Sequence, residues 1–482
     1  MSDGYETVIG LEIHAELSTE SKIFCGCQNA FGAAPNTLCC PVCTGLPGAL
    51  PVLNAQVVEY AVKMGLALGC HINTLSWMDR KHYFYPDLPK AYQISQNDRP
   101  LCETGQLQYL VGGQPRHLGI TRIHIEEDAG KLLHDAATDT TLIDYNRCGV
   151  PLIEIVTEPD LRSADEAKAA MEEITRILLA LGISDARMQE GSIRADVNVS
   201  VRPKGQAAYG VRNELKNINS FGAVHRAIVH EAARQRQILA KGGVIGQETR
   251  RWNDLEKTSV VLRTKEETHD YRFFPEPDLP PFEVPEKTIM ALSAQIPELP
   301  ATKTLRYQQA YALPPDDALL LAGRKPFADF FEAAVALRKA APRQLANWLL
   351  GDVSKLLNEH RAELGDTRLT PDKLVTLVEA IDAGTISGTA GKQVLEHIIS
   401  KDTSVETAIE MLGLKQVSDA ETLNTLVNSV IRENPAAVAD WRAGKKQAQG
   451  FLLGRCIKAS GGRANPQVTA SLLRQVLDDI CE

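Results

Sequence analysis

Five cysteines fall between Cys25 and Cys43, out of ten in the whole chain. Cys25-Gly26-Cys27 is a C-x-C pair, and Cys40-Pro41-Val42-Cys43 is a C-x-x-C pair a short loop later. Two such knuckles place four thiolates at the corners of a tetrahedron, which is the geometry of structural zinc. Cys39 competes with Cys40, but it would give the less common C-x₃-C spacing. Because all four positions are thiolates, the expected site is closed and has no coordination position for a substrate.

A second chemistry is written in carboxylates. Glu12, Glu16, Glu126, Glu127, Asp128, Glu154, Glu158, Asp160, Glu190, Asp196 and Glu214 recur at strand ends, with His14 among them. Hard oxygen donors plus one imidazole suit Mg²⁺ or Mn²⁺ better than Ca²⁺ or structural zinc. Such a site acts on phosphates and needs cations near it. Lys81, Lys90, Arg122, Lys131, Arg147, Arg194 and Lys216 are available. The sequence has no G-x-x-x-x-G-K-[ST] and no G-x-G-x-x-G, so a P-loop, a kinase glycine loop and a dinucleotide fold are unsupported. A nucleotide would therefore rest on a sheet face. Arg194, Asp196, Asn198, Ser200, Glu214 and Lys216 are the candidates to hold it. Aromatic residues make up only 5% of the chain, yet they crowd "RKHYFYPDLPKAYQISQ" and "DYRFFPEPDLPP". There they could stack on a base or pack in a core.

These residues need strands to aim them. In "GLEIHAEL", Leu11, Ile13, Ala15 and Leu17 alternate with Glu12, His14 and Glu16, so one face is apolar and the other polar. "SIRADVNVSVR" repeats the pattern, and "TRIHIEED" repeats it again with Arg122, His124 and Glu126 on the polar side. This is the habit of an antiparallel sheet with one face on the core. Helices interrupt the strands. One follows Ser163 as N-cap and ends at Gly182, and another starts near Gly222. Proline-rich "DLPPFEVPEK" and "IPELP" mark a change of composition near Ile296, beyond which helical spacing dominates. Thr370 and Asn465 are expected caps, each followed by proline, and Ser418 to Glu421 reads as a capping box. The expectation is an α+β chain with a domain over 1–295, a helical domain over 296–403 and a helical tail over 404–482.

With 482 residues, 44% hydrophobic and 23% charged, the composition is that of ordinary globular domains. The N-terminus resembles neither a signal nor a transit peptide, and no apolar run suits a membrane span, so a cytoplasmic protein is expected. The net charge of −9 argues against a whole-surface nucleic-acid binder. A local patch is a different matter: Arg442 to Arg474 holds seven Lys/Arg and no Asp/Glu.

Ten stretches, in order from Tyr5 to about Leu477, resemble the GatB family, one of the component families of aspartyl/glutamyl-tRNA amidotransferases. Among them are "VIGLEIHAEL", "CPVCTGLPGALPVLN", "RKHYFYPDLPKAYQISQ", "RIHIEEDAGK", "DYNRCGVPLIEIVTEPD", "EGSIRADVNVS" and "GFLLGRCIKASGGRANP". The resemblance implies a cradle domain of glutamine-synthetase-like fold, a helical domain and a helical tail that touches tRNA. It implies transfer of the γ-phosphoryl of ATP to the side-chain carboxylate of Glu-tRNA(Gln) and/or Asp-tRNA(Asn), then displacement of phosphate by ammonia. Expected partners are an amidase-like GatA protein that releases ammonia from glutamine, a small GatC protein, and the misacylated tRNA. Expected cofactors are ATP, Mg²⁺ and structural Zn²⁺. Carried over by motif, His14, Glu127 and Glu154 become the magnesium ligands and Glu12 a fourth member; of the candidate cations, Lys81 and Lys90 are taken as catalytic. Two positions depart from the family pattern: Asn97, and the pair Arg455-Cys456. Two other readings compete. A stand-alone glutamine-synthetase-like amide ligase would not need the basic tail. A zinc-bearing tRNA adaptor would not need Glu12, His14, Glu127 and Glu154 together.

Overall fold

The computed structural model describes residues 4–135, 137–264, 270–417 and 419–480. The chain separates into two compact units, Met1–Lys303 and Thr304–Glu482.

In chain order the strands of the first unit begin with β1 (Tyr5–Glu16), β2 (His71–Ile72), β3 (Leu75–Ser76), β4 (Asp79–His82), β5 (Tyr92–Ser95), β6 (Cys102–Val111), β7 (Gln114–Glu127) and β8 (Lys131–Asp135). They continue with β9 (Thr140–Asp144), β10 (Pro151–Thr157), β11 (Ile193–Pro203), β12 (Asn213–Lys216), β13 (Glu248–Asn253), β14 (Thr258–Thr264), β15 (Phe274–Pro275) and β16 (Phe282–Glu283). Nine of them form one sheet in the order β14-β13-β12-β11-β1-β10-β7-β6-β2. Every pair in it is antiparallel except β12 with β13. That parallel pair needs a long crossover, which α3 (Phe221–Ala240) supplies. The first strand of the chain therefore sits in the middle of the sheet.

One face of this sheet is sealed. Ile9, Leu11, Ile13 and Ala15 of β1, Ile153 and Ile155 of β10, and Val197 and Val199 of β11 are buried in one apolar core. Two helices cover it, α2 (Ala164–Leu181) and α3, with α1 (Ala55–Ala67) in the same core. Their ends follow the sequence. Ser163 accepts from the Glu166 N–H, and Gly182 closes α2 in the left-handed region, at φ 66°. Ser220 caps α3 by accepting from the Ala223 N–H. The unit runs past the proline-rich junction because Ile296 and Leu299 still pack against the first core. The Ala301 N–H also donates to the buried Glu173 carboxylate at 2.8 Å.

The second unit is helical. Thr370 caps Pro371–Asp382, and Asn465 caps Pro466–Asp479 by accepting from two backbone N–H groups. Of the expected capping box, Ser418 lies outside the described residues; Asp419 caps the helix Ala420–Glu433. The apolar residues of this unit fall into separate clusters, one spanning Tyr307–Ile409 and one spanning Val427–Leu477. All seven Lys/Arg between Arg442 and Arg474 are exposed. Among the described residues no helix is long and apolar enough to cross a membrane.

Candidate active site

The polar face of the sheet is organised by β1. Its register sets Glu12 opposite Asp196, and His14 opposite both Glu154 and Arg194. On the far side of β10, Glu154 pairs with His124 of β7. Side chains two residues apart share a face, so Glu12, His14 and Glu16 head three groups in a row.

The middle group converges most tightly. His14 Nε2 lies 3.4 Å from Glu154 Oε2 and 3.7 Å from Glu126 Oε1. One donor atom each from His14, Glu126 and Glu154 falls within a 4.8 Å set. His124, almost wholly buried, brings Nε2 to 3.3 Å from Glu154 and 3.6 Å from Glu126. Burial works against both imidazolium ions, but the two carboxylates outweigh it. His14 is raised above the ordinary histidine value, and His124 is raised to about 9. Burial would likewise raise the acids, yet His124 and His14 hold Glu154 well below the carboxylate range and Glu126 below it. Two anions and two imidazoles thus share a site that is water-poor but still open at His14, whose side chain is 21% exposed.

Sequence reasoning expected Glu127 here, and the structure corrects that placement. Consecutive strand residues face opposite ways, so Glu126 turns to His14 and Glu127 turns away. Glu127 accepts from Lys90 Nζ at 2.6 Å and from the Ile94 N–H at 2.9 Å. Lys90 is therefore paired off on that opposite side. It lines a cavity of about 200 Å³ with Glu127, Tyr92, Cys25 and Cys43. Lys81 lies 5.1 Å from the Tyr271 ring rather than among the carboxylates. Glu126 and His124 complete this group, to which sequence reasoning assigned neither. The signal was available, since alternation in "TRIHIEED" puts both on the polar side.

The group at Glu12 is mixed in charge. Asn198 donates to Glu12 at 2.9 Å. Lys216 bridges Asp196 and Glu214, lying 3.1 Å from the latter. Glu12 is raised above the usual carboxylate value, first by burial and then by Glu154. Ser200, Asn198 and Glu12 border a cavity of about 230 Å³ with Tyr209 and Arg212. The group at Glu16 is the third. Burial and the neighbouring Asp128 carboxylate raise Glu16 to about 8. Asp128 is itself held by Arg194 at 2.5 Å and Arg147 at 3.5 Å. Arg194 therefore joins this group rather than that of Asp196.

The four cysteines also meet. Cys43 Sγ lies 3.3 Å from Cys25, 3.7 Å from Cys40 and 3.8 Å from Cys27. Sulfurs on 2.3 Å bonds to one tetrahedral zinc stand about 3.8 Å apart, so the set fits. Cys39 turns out, donating to the Asn36 carbonyl at 3.4 Å. A hydrogen bond from Cys25 lowers Cys43 to about 4 against the effect of burial.

An open polar sheet face thus carries an imidazole–carboxylate cluster whose donors suit a hard cation. The comparisons narrow this. Residues 7–290 match the family described as "GatB/GatE catalytic domain", and residues 329–477 match that described as "GatB domain". The chain is 50% identical over 479 residues to the GatB component of the aspartyl/glutamyl-tRNA(Asn/Gln) amidotransferase of Caldicellulosiruptor bescii, covering 99% of this chain and 100% of that protein. It is 52% identical over 473 residues to the protein of the same name from Thermoanaerobacter sp. strain X514, covering 98% and 99%. The chain belongs to the GatB family.

Proposed function

We propose that this chain is the GatB component of a glutamine-dependent tRNA amidotransferase, working with an amidase-like GatA protein, a small GatC protein and a misacylated tRNA. The observation that carries the chemistry is the convergence of His14, Glu126 and Glu154 on an open sheet face. A carboxylate is a poor electrophile because its oxygen leaves badly. Transfer of the γ-phosphoryl of ATP to the side-chain carboxylate of Glu-tRNA(Gln) and/or Asp-tRNA(Asn) makes that oxygen part of phosphate. Ammonia then adds to the acyl carbon, phosphate departs, and the amide remains. The donor set of the three residues suits magnesium, which His14, Glu126 and Glu154 would hold and which would offset phosphate charge. Glu126 takes the place given by motif to Glu127, and His124 backs both carboxylates.

The protein's own groups do the rest. Asp196, Asn198, Ser200, Glu214 and Lys216 are proposed to hold the nucleotide, with Arg194 nearer Glu16. The cavity beside Asn198 and Ser200 supports placing it there. Ammonia is useful only while unprotonated, which favours delivery from a partner over capture from water. The Cys25, Cys27, Cys40 and Cys43 cluster is read as structural zinc. The first unit is proposed to be a cradle of glutamine-synthetase-like fold, followed by two helical domains, in a cytoplasmic enzyme. The exposed basic residues of the tail are proposed to meet the tRNA backbone. Their removal should weaken binding and flatten its salt dependence.

The decisive assay is ATP-dependent amide formation on Glu-tRNA(Gln), with ammonium as donor and the GatA and GatC proteins present. No amide under those conditions would refute the reading.

A further inference from the structure

Lys22 is only 1% exposed. Lysine is almost never buried so completely unless it is paired, and among the described residues no carboxylate pairs with it. Its ammonium instead spends its three donors on the Leu38 carbonyl at 2.7 Å, the Cys148 carbonyl at 2.8 Å and Cys43 Sγ at 3.7 Å. The nearest source of negative charge is thus the cysteine cluster itself. Four thiolates around Zn²⁺ carry a net charge of −2, which a buried cation offsets. The neighbouring backbone runs along the same route. The Ile23 N–H donates to the Gly149 carbonyl at 2.9 Å, and the Gly149 N–H donates to the Asp128 carbonyl at 3.1 Å. The next residues open β10, the strand that carries Glu154.

We propose that Lys22 is a positioning residue that couples the cysteine cluster to the start of β10, so that metal loading of the knuckle is felt at the strand bearing Glu154. It does this from both ends of one side chain's reach. The charge of the loaded cluster holds the ammonium, and the ammonium holds the Cys148 carbonyl. Residues 148–150 then have one place to sit. The proposal rests on the reading of the four cysteines as a zinc site.

The test uses the assembled complex with wild-type chain, Lys22→Met and Lys22→Gln. The glutamine keeps hydrogen-bond donors and loses the charge, so it serves where the methionine variant fails to assemble. Zinc release to a chromophoric chelator should quicken by about 10- to 100-fold in either variant, the usual range for a lost supporting contact at a metal. The response of hydrogen exchange over residues 148–157 to zinc removal supplies the readout that a merely structural lysine would not move. In wild type, stripping zinc should speed exchange there. In the variants exchange should already be fast, and stripping should add little. Unchanged zinc release, or an equal response to stripping in wild type and variants, overturns the proposal. A wild-type complex that neither contains nor takes up zinc overturns the zinc reading instead, and the proposal falls with it.

Discussion

Cys43 Sγ touches three other sulfurs, whereas His14 Nε2 touches two carboxylates that are themselves shared with a second imidazole. Both sets are converging donors fit for a metal, but they are built differently. The cysteine donors come from one short segment and converge on one another, with the Lys22 ammonium against Cys43. The His14 donors come from three strands and keep an exposed edge. A closed set can only hold; an open one can hold and still present the ion to a phosphate. On the proposed function, the difference separates a site that would support the fold from one that would do chemistry.

The widest separation should come from Glu154→Gln. It removes one charge from the open set and should cost several kcal/mol of transition-state stabilisation, roughly a thousandfold in amidation rate. Zinc content and tRNA binding should stay near wild type. Glu127→Gln in the same assay is expected to cost less, because Glu127 faces Lys90. Equal losses would restore Glu127 to the metal. For the closed set, Cys40→Ser should drop zinc from one per chain toward none, while Cys39→Ser leaves it at one. Equal zinc in both variants would break the comparison from the other side.

A smaller effect is expected behind the open set. His124→Asn leaves the ligands in place but unsupported, and Mn²⁺ affinity followed by paramagnetic resonance should fall about 10- to 100-fold. Wild-type affinity in that variant would make His124 a bystander. The smallest effect concerns Glu16. Its folded pKa of about 8 lies above the ordinary 4.5, so the fold prefers the protonated form. The resulting stability is fully present below pH 4.5 and is lost as pH rises through about 8. Urea midpoints of wild type should decline over that window relative to Glu16→Gln, which cannot ionise. Parallel curves would show that Arg194 and Arg147 keep Glu16 charged despite burial and Asp128.

The same contrast explains what could be read from the residues. The cysteine set was legible because its spacing is local: a tetrahedron needs only two knuckles and a loop. The alternation of β1, β7 and β11 was legible too, and so were the caps at Ser163, Thr370 and Asn465. The membership of the open set was not. His14 meets Glu126 and Glu154 only because β1 enters between β10 and β11, and nothing in the short motifs states that order. Parity along "TRIHIEED" would have chosen Glu126 over Glu127. The partner of Arg194 could not be read, because Arg194 and Asp196 share a face but end in different groups.

That central seat of β1 has a consequence for how the chain is made. β1 is synthesised well before its sheet neighbours β10 and β11, which begin only at residues 151 and 193. Until then its apolar side has no sheet to join, and its polar side has no Glu154 to face. Pairings this distant in sequence are slow to close and leave an exposed strand meanwhile. The polar face around His14 is therefore completed only once β10 and β11 have been made.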